Sequence, residues 1–196
     1  MRSTSFLAAV FSLVPTVALA QEAPASASGP ASRQGLELAL GLQGGKIYCE
    51  GQMGQCDGFT EAGGGNLAGS WFFSPTFGIT LDLWAMSHRD DGFVFTHYVN
   101  TVGIKWRPAP IFTLTAGIGA AHASLGHENI NLGIRSDDAP AIMGAASVDL
   151  IRGRRWALAV EARFGNGFYG DENEDGMADV EGRNVGVGAS LAVFGF

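Results

Sequence analysis

The most chemically suggestive stretch of this chain is Asp171-Glu172-Asn173-Glu174-Asp175-Gly176-Met177-Ala178-Asp179. Oxygen donors at Asp171, Asn173 and Asp175, then Gly176 for a sharp turn and Asp179 in the ninth place, follow the D-x-[DN]-x-D-G pattern of a calcium loop. The twelfth place, where such loops carry a bidentate Glu, holds Gly182, and Glu181 sits one residue early. Calcium here is one expectation and an acidic, solvated surface loop the other; no other cofactor is implied.

His122-Ala123-Ser124, with Glu128 nearby, is the second candidate. A nucleophilic Ser needs a base within hydrogen-bond reach, itself oriented by an acid, and these residue types could supply both. The triplet alone does not define a site, and His122 stands where a strand enters a loop, so the chain is not expected to be an enzyme. His88 and His97 read as loop and interior residues rather than metal ligands. Cys49 and Cys56, the only cysteines, lie seven apart in a Gly-rich stretch. In an exported chain that pair reads as a disulfide closing a loop. Redox or metal chemistry would ask for C-x-x-C spacing or neighbouring His, and neither is present.

Export is written at the start of the chain. Arg2 gives a small positive region, Phe6 to Val17 an apolar core, and Ala18-Leu19-Ala20 a small-x-small cleavage site before Gln21. Residues 1–20 therefore read as a signal peptide, too short in its apolar run to span a membrane as a helix. Residues 21–33, rich in Pro, Ala, Ser and Gly, have too little bulk to fold and read as a disordered linker. Residues 34–196 remain as one domain.

Composition narrows the class of that domain. Gly is abundant, Lys almost absent and charge scarce for a soluble protein. Removing Arg2 with the signal leaves 11 basic against 19 acidic residues, a net of −8, which argues against nucleic-acid binding. Apolar residues alternate with small or polar ones in segments of about ten residues. Leu36, Leu38, Leu40 and Leu42 oppose Glu37, Ala39, Gly41 and Gln43; Leu67, Gly69, Trp71 and Phe73 oppose Asn66, Ala68, Ser70 and Phe72; Phe77, Ile79, Leu81 and Leu83 oppose Gly78, Thr80, Asp82 and Trp84. Similar segments follow over 93–106, 112–118, 142–150, 156–164 and 184–196, eight in all. Short turns at Ser74, Arg107 and Arg152 alternate with longer loops, among them Ser87 to Gly92, Ser124 to Ala139 and Gly165 to Arg183.

After the signal no run is long enough for a transmembrane helix, so an exported apolar chain must hide its surface otherwise. Strands closed into a barrel do so, facing lipid with the bulky side and pairing every backbone group. The fold class read from the sequence is thus all-β, an eight-stranded antiparallel up-and-down transmembrane barrel. Glu37, Asp82, Asp149 and Glu161, with Lys105 and Arg163 of opposite sign, fall on its inward faces. A barrel of eight strands is just wide enough to be filled by side chains, and buried charges must pair. A salt-bridge plug is expected there, with a narrow polar pore as the alternative. Trp71, Trp106, Trp156, Phe77 and Phe112 lie near strand ends, as interfacial aromatic girdles do, while Trp84 has the inward parity.

The chain closes on Gly188-Ala189-Ser190-Leu191-Ala192-Val193-Phe194-Gly195-Phe196. With the signal peptide and strand rhythm, this ending resembles the small outer-membrane barrels that include the OmpA transmembrane domain and OmpX-like proteins. The resemblance implies that Phe194 and Phe196 serve as the signal read by the barrel-assembly machinery. A bulge near Val193 would bring them onto the face of Val185, Val187 and Leu191. It further implies the outer membrane as location, its lipids as partners, and a structural or surface-interaction role with an unnamed surface ligand. A narrow passive pore is the alternative; a lipid-modifying enzyme is disfavoured, since the residues around His122 and Ser124 do not match the lipid A deacylase motif.

Overall fold

The computed structural model describes residues 34–50, 57–127, 130–169 and 182–195. These belong to one compact unit, Ser32–Phe196. The expected signal peptide and linker, residues 1–33, lie outside the described residues.

Among the described residues nine strands are formed: β1 (Gly35–Glu50), β2 (Asp57–Phe72), β3 (Phe77–Asp90), β4 (Phe93–Ala109), β5 (Phe112–His127), β6 (Ile130–Arg135), β7 (Ala139–Arg152), β8 (Trp156–Gly167) and β9 (Gly182–Phe194). Strands β1 to β5 pair in succession, β5 pairs β7, β7 to β9 pair in succession, and β1 closes the sheet on β9, all antiparallel. Eight strands therefore make a closed barrel, and β6 is a short addition on the loop end of β5.

The walls obey a strict parity. Leu40, Leu42 and Ile118 point outward at 61%, 74% and 72% exposure, while Glu37, Asp82 and Arg163 point inward and are buried. The alternation buries every second residue along β3 from Gly78 to Met86. Leu38 and Leu81 are exposed and Glu37 and Glu161 buried, the inverse of a soluble barrel.

Three tight turns gather at one end. In the first, Ser74 Oγ accepts the amides of Phe77 and Thr76. The second follows a register shift between Trp106 and Ala109. The third, at Gly153, follows a shift between Asp149 and Ile151, and Gly153 N donates to Trp156 O. Trp71, Phe77, Trp106 and Trp156 ring the outside of this end, with Phe77 and Trp106 stacked at 6.2 Å between centroids.

The other end departs from the expected loops. Instead of a loop over Ser87 to Gly92, β3 runs to Asp90 and turns on Asp91 and Gly92, both at positive φ. Two left-handed residues make the turn that matches strand twist, which Asp-Gly adopts readily. The expected loop from Ser124 is also largely strand, as β5 continues to His127 and β6 folds back on it. Side-chain alternation fades where the apolar band ends, but backbone pairing has no reason to stop there.

Candidate functional site

The interior is filled in three layers. Nearest the turns, Glu37 on β1 accepts from Lys105 Nζ at 2.7 Å and from the guanidinium of Arg107, both on β4. Arg107 lies 3.6 Å from the centroid of Phe72 and 5.5 Å from that of Phe194. Sequence reading missed Arg107 by assigning it to the turn. Its parity with Thr101, Gly103 and Lys105 was the available signal.

In the middle layer, Arg163 on β8 grips both oxygens of Asp82 on β3, at 2.7 and 2.8 Å across the barrel. Its Nε also donates to Glu161. Such a fork matches a carboxylate in geometry as well as charge. Gln43 Nε2 donates to Asn66 Oδ1 at 3.0 Å and to Glu161 Oε1 at 3.3 Å, tying β1, β2 and β8 to the ion cluster. Asp149 sits instead at the turn-end rim beside the register shift, where it accepts from Arg152 Nε at 2.9 Å.

The third layer, toward the loop end, is apolar: Ile47, Trp84, Met86, Phe95, Val99 and Met143 pack together. A reading of inward faces as small and charged did not foresee it. Trp84 fits because β8 and β9 carry glycine opposite it. A Cβ at Gly165 would meet the Trp84 ring at 2.8 Å, and one at Gly186 at 3.5 Å. Large side chains set against absent ones fill a narrow barrel.

At the mouth, His97 is fully buried between Asn184 and Tyr169. Asn184 Nδ2 donates to His97 O, so Asn184 Oδ1 is the acceptor for His97 Nδ1–H at 2.9 Å. His97 Nε2 is left to accept from the Tyr169 hydroxyl at 3.0 Å. Burial pushes the Tyr169 phenol above its ordinary range, against a hydrogen bond with Ser136. Tyr169 and Gly182 are the described residues flanking the acidic segment, and a Cβ at Gly182 would strike the His97 ring at 2.3 Å. His97 thus holds both described ends of that segment.

The remaining candidates do not converge on these layers. His122 points outward, stacked on Tyr98 at 4.6 Å between centroids, with Nδ1 3.5 Å from Asp138. No hydrogen bond among the described residues joins it to Ser124, and the side chain of Glu128 lies outside them. Cys49 stands in β1 opposite Gly58, but Cys56 is outside the described residues. So are Asp171, Asn173, Asp175, Asp179 and Phe196.

The bulge expected near Val193 requires a correction. The register of β9 with β1 and β8 is unbroken through Val193, with no bulge, so Phe194 keeps the interior parity and is buried. It therefore does not join the outward set of Val185, Val187 and Leu191. A bulge needs an extra residue on one strand, and the ladder here matches residue for residue.

No family model and no curated protein matches the chain. Solved structures similar to it include Ail, the attachment invasion locus protein of Yersinia pestis, at 14% identity and a TM-score of 0.58, covering 81% of this chain and 99% of that one. Neisserial surface protein A is similar at 10% identity and a TM-score of 0.60, covering 81% of this chain and 97% of its own. At these identities the likeness is one of fold, and the fold is that of the small eight-stranded outer-membrane barrels of the OmpA and OmpX type.

Proposed function

We propose that the protein is an exported, plugged outer-membrane barrel that anchors in the membrane and presents its loop end to surface partners. The role is structural or interactive, with neither catalysis nor transport. The observation that carries this reading is the inversion of the wall, apolar outside over a filled ionic and apolar inside. Outer-membrane lipids would cover the band from Trp71 and Trp106 to Leu42 and Val185, and the barrel-assembly machinery would insert it. Phe194 and Phe196 are the terminal aromatics this reading assigns to that machinery, read before the barrel has folded. The similar protein Ail has been crystallised with the heparin analogue sucrose octasulfate. That a barrel of this fold can bind a ligand is what the reading carries over from it; neither the place nor the chemistry of the ligand is carried over.

The plug is favoured over a pore because the layers differ in kind. An ion entering past Glu37, Lys105 and Arg107 would have to displace the Asp82–Arg163–Glu161 cluster and then cross the Trp84 layer. Purified protein in planar bilayers is expected to give no steady conductance. Regular single-channel openings would overturn the plug and restore the pore. The stacking of His122 on Tyr98, on the outward face of the strand, likewise supports a non-enzyme.

A further inference from the structure

Two amides and an indole in the middle of the barrel keep unused hydrogen-bonding atoms, and their orientations are fixed. The Glu161 carboxylate accepts only, so Gln43 presents its NH2 to it. The same NH2 meets Asn66 Oδ1, which turns the Asn66 NH2 away. One acceptor, Gln43 Oε1, and two donors, Asn66 Nδ2 and Trp84 Nε1, are left without a partner among the described residues. Gln43, Asn66 and Trp84 are only 7%, 3% and 1% exposed.

These groups are also neighbours. Asn66 faces Trp84 across the β2–β3 ladder. Gln43 and Trp84 converge over Gly186, where an added Cβ would find Gln43 Oε1 at 2.7 Å and Trp84 Cζ2 at 3.5 Å. Buried donors and acceptors left unmade carry the full desolvation penalty, which a bridging molecule removes.

We propose that this place is a binding site for a buried water, accepting from Trp84 Nε1 or Asn66 Nδ2 and donating to Gln43 Oε1. The mixed set selects water over an ion. An anion would meet Gln43 Oε1 and the neighbouring Glu161; a cation would meet two N–H groups and the Arg163 guanidinium, 5.9 Å from the Trp84 ring. Water alone both donates and accepts. The site lies between the Arg163 cluster and the apolar layer, so the water is trapped and does not begin a conducting file. Thr101 Oγ1, also unpartnered, points toward Gly117 on β5 and lies outside this site.

The test is magnetisation transfer between water and indole protons in the folded protein in detergent micelles, with the Trp84 signal identified by its loss in Trp84→Phe. A cross-peak from Trp84 Hε1 to a long-lived water is expected; its absence overturns the site. Gln43→Met removes the acceptor and is expected to weaken that cross-peak severalfold in a barrel that still shows heat-modifiable gel mobility. An unchanged cross-peak in that variant overturns the bridge to Gln43. Should Gln43→Met fail to fold, the wild-type spectrum decides alone. A dry site would leave the membrane-anchor reading untouched, since that rests on the outer wall.

Discussion

Arg163 is the residue on which the interior turns, because it answers two buried carboxylates, Asp82 and Glu161. Breaking a buried pair from one side leaves uncompensated charge, at about 3–5 kcal/mol. Arg163→Met is expected to lose stability of that order, read from the urea midpoint in lipid vesicles. Tyr169 acts more locally, by donating to His97. With its phenol held above the ordinary 10.0 by burial, the folded form keeps the proton longer than the unfolded chain does. The stability it contributes is complete below pH 10 and falls as the pH rises further. Tyr169→Phe should cost about 1 kcal/mol at neutral pH. It should also abolish that alkaline loss, measured as hydrogen exchange at the mouth with the global midpoint little changed.

Among the elements, β8 and β9 owe their place to what they lack. Gly165 leaves room for the Trp84 ring and Gly186 for the Gln43 amide beside it, so these two strands can close on the filled interior. Gly165→Leu is expected to displace Trp84 and cost about 1–3 kcal/mol as overpacking, visible as a changed near-ultraviolet circular dichroism band. The β3–β4 hairpin makes a related point. Its outer rungs, from Ser87 to Asp90, have no apolar alternation, yet they pair through to the Asp91–Gly92 turn. Elements here end where the backbone can turn, and the pattern of side chains ends sooner.

For the molecule as a whole, the proposed membrane anchor requires that lipid cover the wall. A charge there is destabilising in a depth-dependent way, about 2–4 kcal/mol for Arg near the bilayer midplane and little near the edges. Leu40→Arg, in the apolar band of β1, is expected to lower stability in vesicles by that amount. Lys46→Arg, beyond the band on the same strand, should have almost no effect. Equal tolerance of both, measured by urea unfolding, would count against burial of the wall in lipid.

The eight-strand barrel and its inward charges could be read from the chain alone, because strand side chains have a period of two. One face of each strand turns outward and is apolar, and Leu38, Leu40 and Leu42 therefore share a parity opposite to Glu37, whatever the neighbours are. Which inward residues meet, however, is set by barrel closure and stagger, and those are properties of all strands together. Nothing near Asp82 announces Arg163, 81 residues on, nor does anything near Glu37 announce Arg107. The apolar layer was hidden for the same reason: Trp84 shares the parity of Asp82, and only the glycines brought opposite it by the register make room for it. Periodicity is a local quantity and gave the wall; packing is a collective one, and the tertiary structure alone decided the contents.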